Sequence, residues 1–210
     1  TGDYGAAGEM PSAPKWSSQH NAMIEPIVDF PICGATWYQG CSNGGEGMSY
    51  AKKLEALIGG WRAKWGYDFP FYIVQLPDFK QDHWVRIRDI HRKMSEQLAH
   101  GGLAVTIDGD EIDLHPKNKT KVADRLARMA LVDCYGKKLI ARSPAPVKAV
   151  RKGKIVRVGF KYADGGLKLK DGDTPRTFEL VADGDKGTPV AAKIVGKAVA
   201  ERALAAGIKT

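Results

Sequence analysis

Four acids, Asp108, Asp110, Glu111 and Asp113, crowd just ahead of one histidine, His115, in the stretch TIDGDEIDLHPKNK at positions 106–119. An imidazole beside a carboxylate is held in one tautomer and is stabilised when it takes up a proton, the behaviour of a general base. Asp113, two residues before His115, is the acid placed to supply that carboxylate. The plainer alternative is a turn histidine ahead of a helix, where acids are favoured by the helix dipole. The acids lack the regular alternation and closing glutamate of a calcium-binding loop, so no metal is expected.

A second stretch, WYQGCSN at 37–43, also carries polar side chains and a glycine after an apolar run, ICGATWY at 32–38. Such loops commonly display functional groups. The remaining histidines, His20, His83, His91 and His100, show no ligand spacing and are expected to be solvated or satisfied locally. Trp61 and Trp65 read as core, and Trp37 and Tyr38 as either core or site. The three cysteines, Cys33, Cys41 and Cys134, lack metal-ligand spacing, although Cys33 and Cys41 would pair if brought together.

The elements around these loops follow from hydrophobic periodicity. The runs 32–38, 71–76 (FYIVQL) and 102–108 (GLAVTID) predict buried strands. Between them, Tyr50, Leu54, Leu57, Ile58, Trp61 and Trp65 recur at helical spacing over 47–65, with Gly59 and Gly60 weakening the last turns. A second helix is expected over about 82–100, with Val85, Ile87, Ile90, Met94 and Leu98 as its apolar content. After the acidic loop, Asn118 can cap a third helix carrying Val122, Leu126, Met129 and Ala130. The order β–α–β–α–β–α implies a parallel sheet covered on both faces. Ligands bind such sheets beyond the carboxyl ends of the strands, where both polar loops fall.

Residues 1–20, rich in Gly, Pro, Ser and Ala, read as an irregular arm or linker, 21–142 as the α/β domain, and 143–210 as a β-rich accessory region. The last begins where SPAP breaks the helical pattern and KIVRVGFKY starts to alternate. Across 210 residues, 43% of them hydrophobic, no apolar run is long enough for a membrane helix, and a soluble chain is expected. The opening TGDYGAAGEMPSAPKW has neither a basic nor an apolar region, so it does not read as a signal peptide itself, a leader already removed staying open, but as the start of a processed or cut chain. The net charge is +8, and eight basic residues between Lys148 and Lys170 face one acid, Asp164. That excess attracts anions without specifying one. No aromatic stacking platform of the single-strand-binding type accompanies it, so no nucleic-acid partner is expected.

Taken together, NAMIEPI (21–27), WYQGCSN (37–43), WRAKWG…FPFYIVQL (61–76) and VTIDGDEIDLHPKNK…ADRLA (105–127) resemble the sialate O-acetylesterase-like carbohydrate esterases of the SGNH hydrolase superfamily. The resemblance runs over roughly residues 19–142 in the family's order and approximate spacing. It implies a flavodoxin-like three-layer α/β/α sheet and serine-dependent hydrolysis of O-acetyl esters on sugars, without a cofactor. By the same resemblance His115 matches the catalytic base, Asp113 the acid of the D-x-H element, and Gln39, Gly40 and Asn43 the loop bordering the oxyanion site.

Two departures qualify the likeness. The family reads QGESN, with a glutamate that helps orient the histidine; Cys41 stands in its place. The family's GQSNM-like nucleophile block has no counterpart, and Ser18, Ser42 and Ser49 do not match it. The expectation is therefore the carboxy-terminal part of an esterase, its sheet lacking the first strands, with the serine supplied by a companion chain or an upstream segment. The substrate would be an O-acetylated sugar or glycan, and secretion or a periplasmic home follows from the family. The alternative is a non-catalytic glycan-binding module derived from such an enzyme.

Overall fold

A computed structural model describes residues 17–80, 83–109, 112–169, 172–175, 178–181, 187–196 and 198–202. Most of the expected N-terminal arm, and Asp110 and Glu111 of the acidic loop, lie outside the described residues. Two compact units are distinguished: one comprises the chain up to Leu103 together with Gly109–Lys117, the other Ala104–Asp108 and the chain from Asn118 onward.

The first unit holds the α/β core. Strands β1 (Ala35–Trp37), β2 (Phe71–Val74) and β3 (Gly101–Ala104) form a parallel sheet in the order β1-β2-β3. Ala35 pairs with Phe71 and Trp37 with Ile73. All four residues of the central β2 are buried, as a continuous apolar run in a parallel sheet requires. β1 is an edge strand of this sheet among the described residues.

Helix α1 (Met48–Trp65) buries Tyr50, Ala51, Leu54 and Ile58, with Leu57, Trp61 and Trp65 packed at the margin of the same core. It ends at Gly66, whose φ of 76° admits the left-handed conformation and whose N–H closes on the Arg62 carbonyl at 2.9 Å. Arg62 also ties the unit together, donating to the Phe69 carbonyl and, at 2.7 Å, to the Ala99 carbonyl. The Gly59–Gly60 pair does not break the helix, because the residues on either side of it are anchored by burial. Both glycines face open space, so Gly60→Ala is expected to stabilise the fold by about 1 kcal/mol, readable as a raised urea midpoint at unchanged slope.

Helix α2 (Trp84–Gln97) buries Trp84, Ile87, Ile90, His91, Met94 and Ser95, a stripe of helical period. The Trp84 indole N–H donates to the Pro77 carbonyl at 2.6 Å, fixing the helix start against the end of the β2 segment.

In the second unit, helix α3 (Thr120–Asp133) starts where Asn118 Oδ1 accepts the Thr120 N–H at 3.0 Å, so Asn118 serves the first turn as expected. The third strand is shorter than its apolar run, because the Val105 carbonyl accepts a hydrogen bond from the Arg125 guanidinium. Strands β4 (Ala145–Lys152), β5 (Ile155–Lys161), β8 (Ala192–Val195) and β9 (Ala198–Arg202) make an antiparallel sheet in the order β4-β5-β9-β8. β6 (Glu179–Leu180) pairs with β7 (Thr188–Pro189). The β-rich character expected of this region is therefore present. No helix among the described residues is long and apolar enough to cross a membrane.

Candidate active site

β1 ends at Trp37 and the chain then turns through Gln39 and Gly40 into a 3₁₀ turn, Cys41–Glu46, which leads into α1. Two glycines permit the turn. Gly40 is buried at φ 135°, and a Cβ there would press on Ile87 Cδ1 at 3.0 Å and His91 Nε2 at 3.2 Å. Gly44 is buried as well, and a Cβ on it would overlap the His83 imidazole. The Asn43 N–H donates to the Gly40 carbonyl at 2.9 Å, closing the loop on itself.

The loop's side chains form a chain of bonds. Gln39 Nε2 donates to Asn43 Oδ1 at 2.7 Å, and Asn43 Nδ2 donates to Glu46 Oε1 at 2.9 Å. Lys53 Nζ meets Glu46 Oε2 at 2.9 Å. The Lys53 ammonium first, and the Asn43 amide second, hold the Glu46 carboxyl below its ordinary pKa, so it is a carboxylate. On the inner side, the Tyr50 hydroxyl lies 3.2 Å from both the main-chain and side-chain oxygens of Gln39 and 3.2 Å from His91 Nε2.

His91 is completely buried, and its pKa falls to about 4 because burial penalises the cation. The ring is therefore neutral across the working range. Its folded value lies below the unfolded 6.5, so the unfolded chain takes up the proton first and stability falls as pH drops from about 6.5 through 4. The expected loss is about 3 kcal/mol once both states are protonated, and denaturant melts over that window should show it reduced in His91→Gln.

His115 lies in the loop that also contains Asp113, and both side chains are exposed. Asp113 Oδ1 accepts the backbone N–H of His115 at 3.0 Å. The carboxylate thus fixes the turn on which the imidazole is carried. Leu114, between them, packs against the core cluster that also borders Trp37 and Cys41. One core therefore supports both the Gln39–Asn43 loop and the Asp113–His115 turn.

Asp108 has a different task from the one its position suggests. Its carboxylate takes a two-pronged bond from Arg125, at 2.7 and 2.6 Å, and that guanidinium holds its pKa below the usual range. It anchors α3. Among the described residues, no three of His, Cys, Asp and Glu converge as a metal site.

Ser18, Ser42 and Ser49 are all exposed, and Ser49 donates to the Glu46 carbonyl at 2.9 Å as part of the α1 start. Cys41 is half-buried, and Cys33 and Cys41 are both thiols. Periodicity places Tyr50 on the apolar face of α1 but not the bonds of its hydroxyl, and neither periodicity nor motif singles out Glu46 or the role of His91. His91 had one sequence signal: it falls on the stripe of Ile87, Ile90 and Met94, where a polar side chain must be buried and must find a partner.

The model of the family described as carbohydrate esterase, sialic acid-specific acetylesterase, matches residues 15–132. The rat (Rattus norvegicus) sialate O-acetylesterase is 29% identical over 185 residues, covering 76% of this chain and 34% of that protein. The mouse (Mus musculus) sialate O-acetylesterase is 31% identical over 191 residues, covering 79% and 35%. The crystal structure of a carbohydrate acetylesterase from Xanthomonas citri superposes with a TM-score of 0.78 at 32% identity, covering 86% of this chain and 44% of that one. The chain thus spans about a third of the length of the curated relatives it matches. With the matched segment covering both loops and the sheet that carries them, the chain belongs to the sialic acid-specific acetylesterase family of carbohydrate esterases.

Proposed function

We propose that this chain supplies the base and part of the oxyanion loop of a carbohydrate O-acetylesterase. The observation that carries the proposal is the family match over residues 15–132, which includes both the Gln39–Asn43 loop and the Asp113–His115 turn. A serine from a companion chain or another segment attacks the acetyl carbonyl while His115 takes its proton. The negative charge that develops on the carbonyl oxygen is met by N–H groups of the loop formed by Gln39, Gly40 and Asn43, the type of preorganised donor that contributes most to ester hydrolysis. His115 then protonates the departing sugar oxygen. Water, deprotonated by the same imidazole, cleaves the acetyl-serine and releases acetate.

Asp113 is proposed to position His115 through the turn, with Cys41 standing where the family's second orienting acid would be. The substrate is an O-acetylated sugar, sialic acids foremost because the mammalian relatives are sialate O-acetylesterases. A secreted or periplasmic home is part of this proposal.

Acetate release from 9-O-acetylated sialic acid and from acetylated xylan, by the intact protein, tests the reading. Release from either supports esterase action and ranks the substrates. The replacement of the family glutamate by Cys41 favours a second reading, a glycan-binding module. Saturable glycan binding with no acetate released from any ester would select it.

A further inference from the structure

We propose that Glu46 is a positioning residue that sets the direction of a hydrogen-bond relay running through Asn43, Gln39 and Tyr50 to the buried His91, and so keeps the loop's amide N–H groups available to an oxyanion. The proposal deepens the esterase reading and rests on it for its catalytic consequence.

The polarity follows link by link. A carboxylate only accepts, so Asn43 must turn its Nδ2 toward Glu46, at 2.9 Å. Its Oδ1 then faces Gln39 and requires a donor, which is Gln39 Nε2 at 2.7 Å. Gln39 is left with its Oε1 toward Tyr50, at 3.2 Å, and the single phenolic hydrogen is spent on Gln39, at this oxygen or at the main-chain carbonyl. The relay assigns the Tyr50 oxygen the acceptor role toward His91, whose Nε2 lies 3.2 Å away and donates in the tautomer that carries its hydrogen there. A neutral imidazole that donates from Nε2 has a bare Nδ1. Among the described residues, the fully buried His91 Nδ1 has no hydrogen-bond partner, an environment that suits a bare nitrogen better than an N–H.

The chemical consequence lies in the two amides. Each spends its oxygen and one N–H inside the relay and keeps one N–H over. Flipping either amide would exchange that donor for a carbonyl oxygen, which repels developing negative charge. Nothing in an amide's shape prevents the flip; the carboxylate at the end of the chain does. Lys53, paired with the other Glu46 oxygen, keeps that carboxylate in place. Glu46 lies in the loop between QGCSN and α1, outside the stretches that carry the resemblance, so no motif singles it out.

The test is nitrogen-15 spectroscopy of the histidines in the intact protein, beside steady-state kinetics on an acetyl ester. The expected wild-type result is His91 as the Nε2–H tautomer. Glu46→Gln should give a mixture of His91 tautomers and a fall in kcat of about tenfold with KM within about twofold. An Nδ1–H tautomer in the wild type overturns the relay without any variant. So does a Glu46→Gln protein whose tautomer and kcat are both unchanged. His115→Ala separates the two ideas: if that variant keeps full activity, the esterase assignment falls, while the wild-type tautomer and its response to Glu46→Gln still decide the relay.

Discussion

His115→Ala is expected to lower kcat/KM for acetyl-ester hydrolysis by about four orders of magnitude, with little change in stability. The size of the effect follows from the role: a serine hydroxyl is a weak nucleophile until a base takes its proton, and removing either member of such a pair removes most of the chemical step. The small stability effect follows from position. His115 is exposed, and its main-chain N–H, which Asp113 Oδ1 accepts at 3.0 Å, survives the substitution. Urea melts and esterase kinetics on the same preparation check both halves. Asp113→Asn refines the assignment. An asparagine keeps Oδ1 as an acceptor for that N–H, so a role confined to the turn predicts nearly full activity. A role in holding the imidazole tautomer predicts a loss approaching that of His115→Ala.

Gly40→Ala should cost about 3 kcal/mol of stability and, where the fold survives, most of the activity. A side chain at φ 135° is strained, and the added methyl meets Ile87 and His91, both fully buried in α2. Neither neighbour can yield without moving the core, and His91 in addition holds the Tyr50 end of the loop network. The check pairs denaturant unfolding with kinetics. A variant as stable as wild type would mean that the turn relaxes at no cost, and an active one would mean that the loop's shape is immaterial to the reaction.

How much of this was legible in the sequence depends on the kind of signal. The strand–helix alternation was readable because the burial of β2 on both faces and the amphipathic stripes of α1 and α2 impose periods that composition cannot hide. Asn118 was a local signal, and its side chain accepts the first N–H of α3. The strand over 102–108 was read too long, since apolar pattern says nothing of the Arg125 guanidinium, 20 positions away, that takes the Val105 carbonyl. The same cation explains Asp108. Four acids near one histidine suggested a shared purpose, but one of them belongs to α3. His91 shows the opposite failure. Its ring, expected to be solvated or satisfied locally, is buried against Tyr50, 41 positions away, and only tertiary packing makes that pair. The motif positions Gln39, Gly40, Asn43, Asp113 and His115 were legible from the resemblance. The bonds that join Gln39 and Asn43 to Tyr50 and Glu46 were not.

The measurement that bears most directly on the central claim is labelling of the intact protein, as isolated, with a fluorophosphonate that reacts with activated serines, followed by peptide mass mapping. The expected result is a label on a serine outside these 210 residues, in a GQSNM-like peptide, and its loss in His115→Ala. A label on Ser18, Ser42 or Ser49, or a label that persists at full rate without His115, would contradict it.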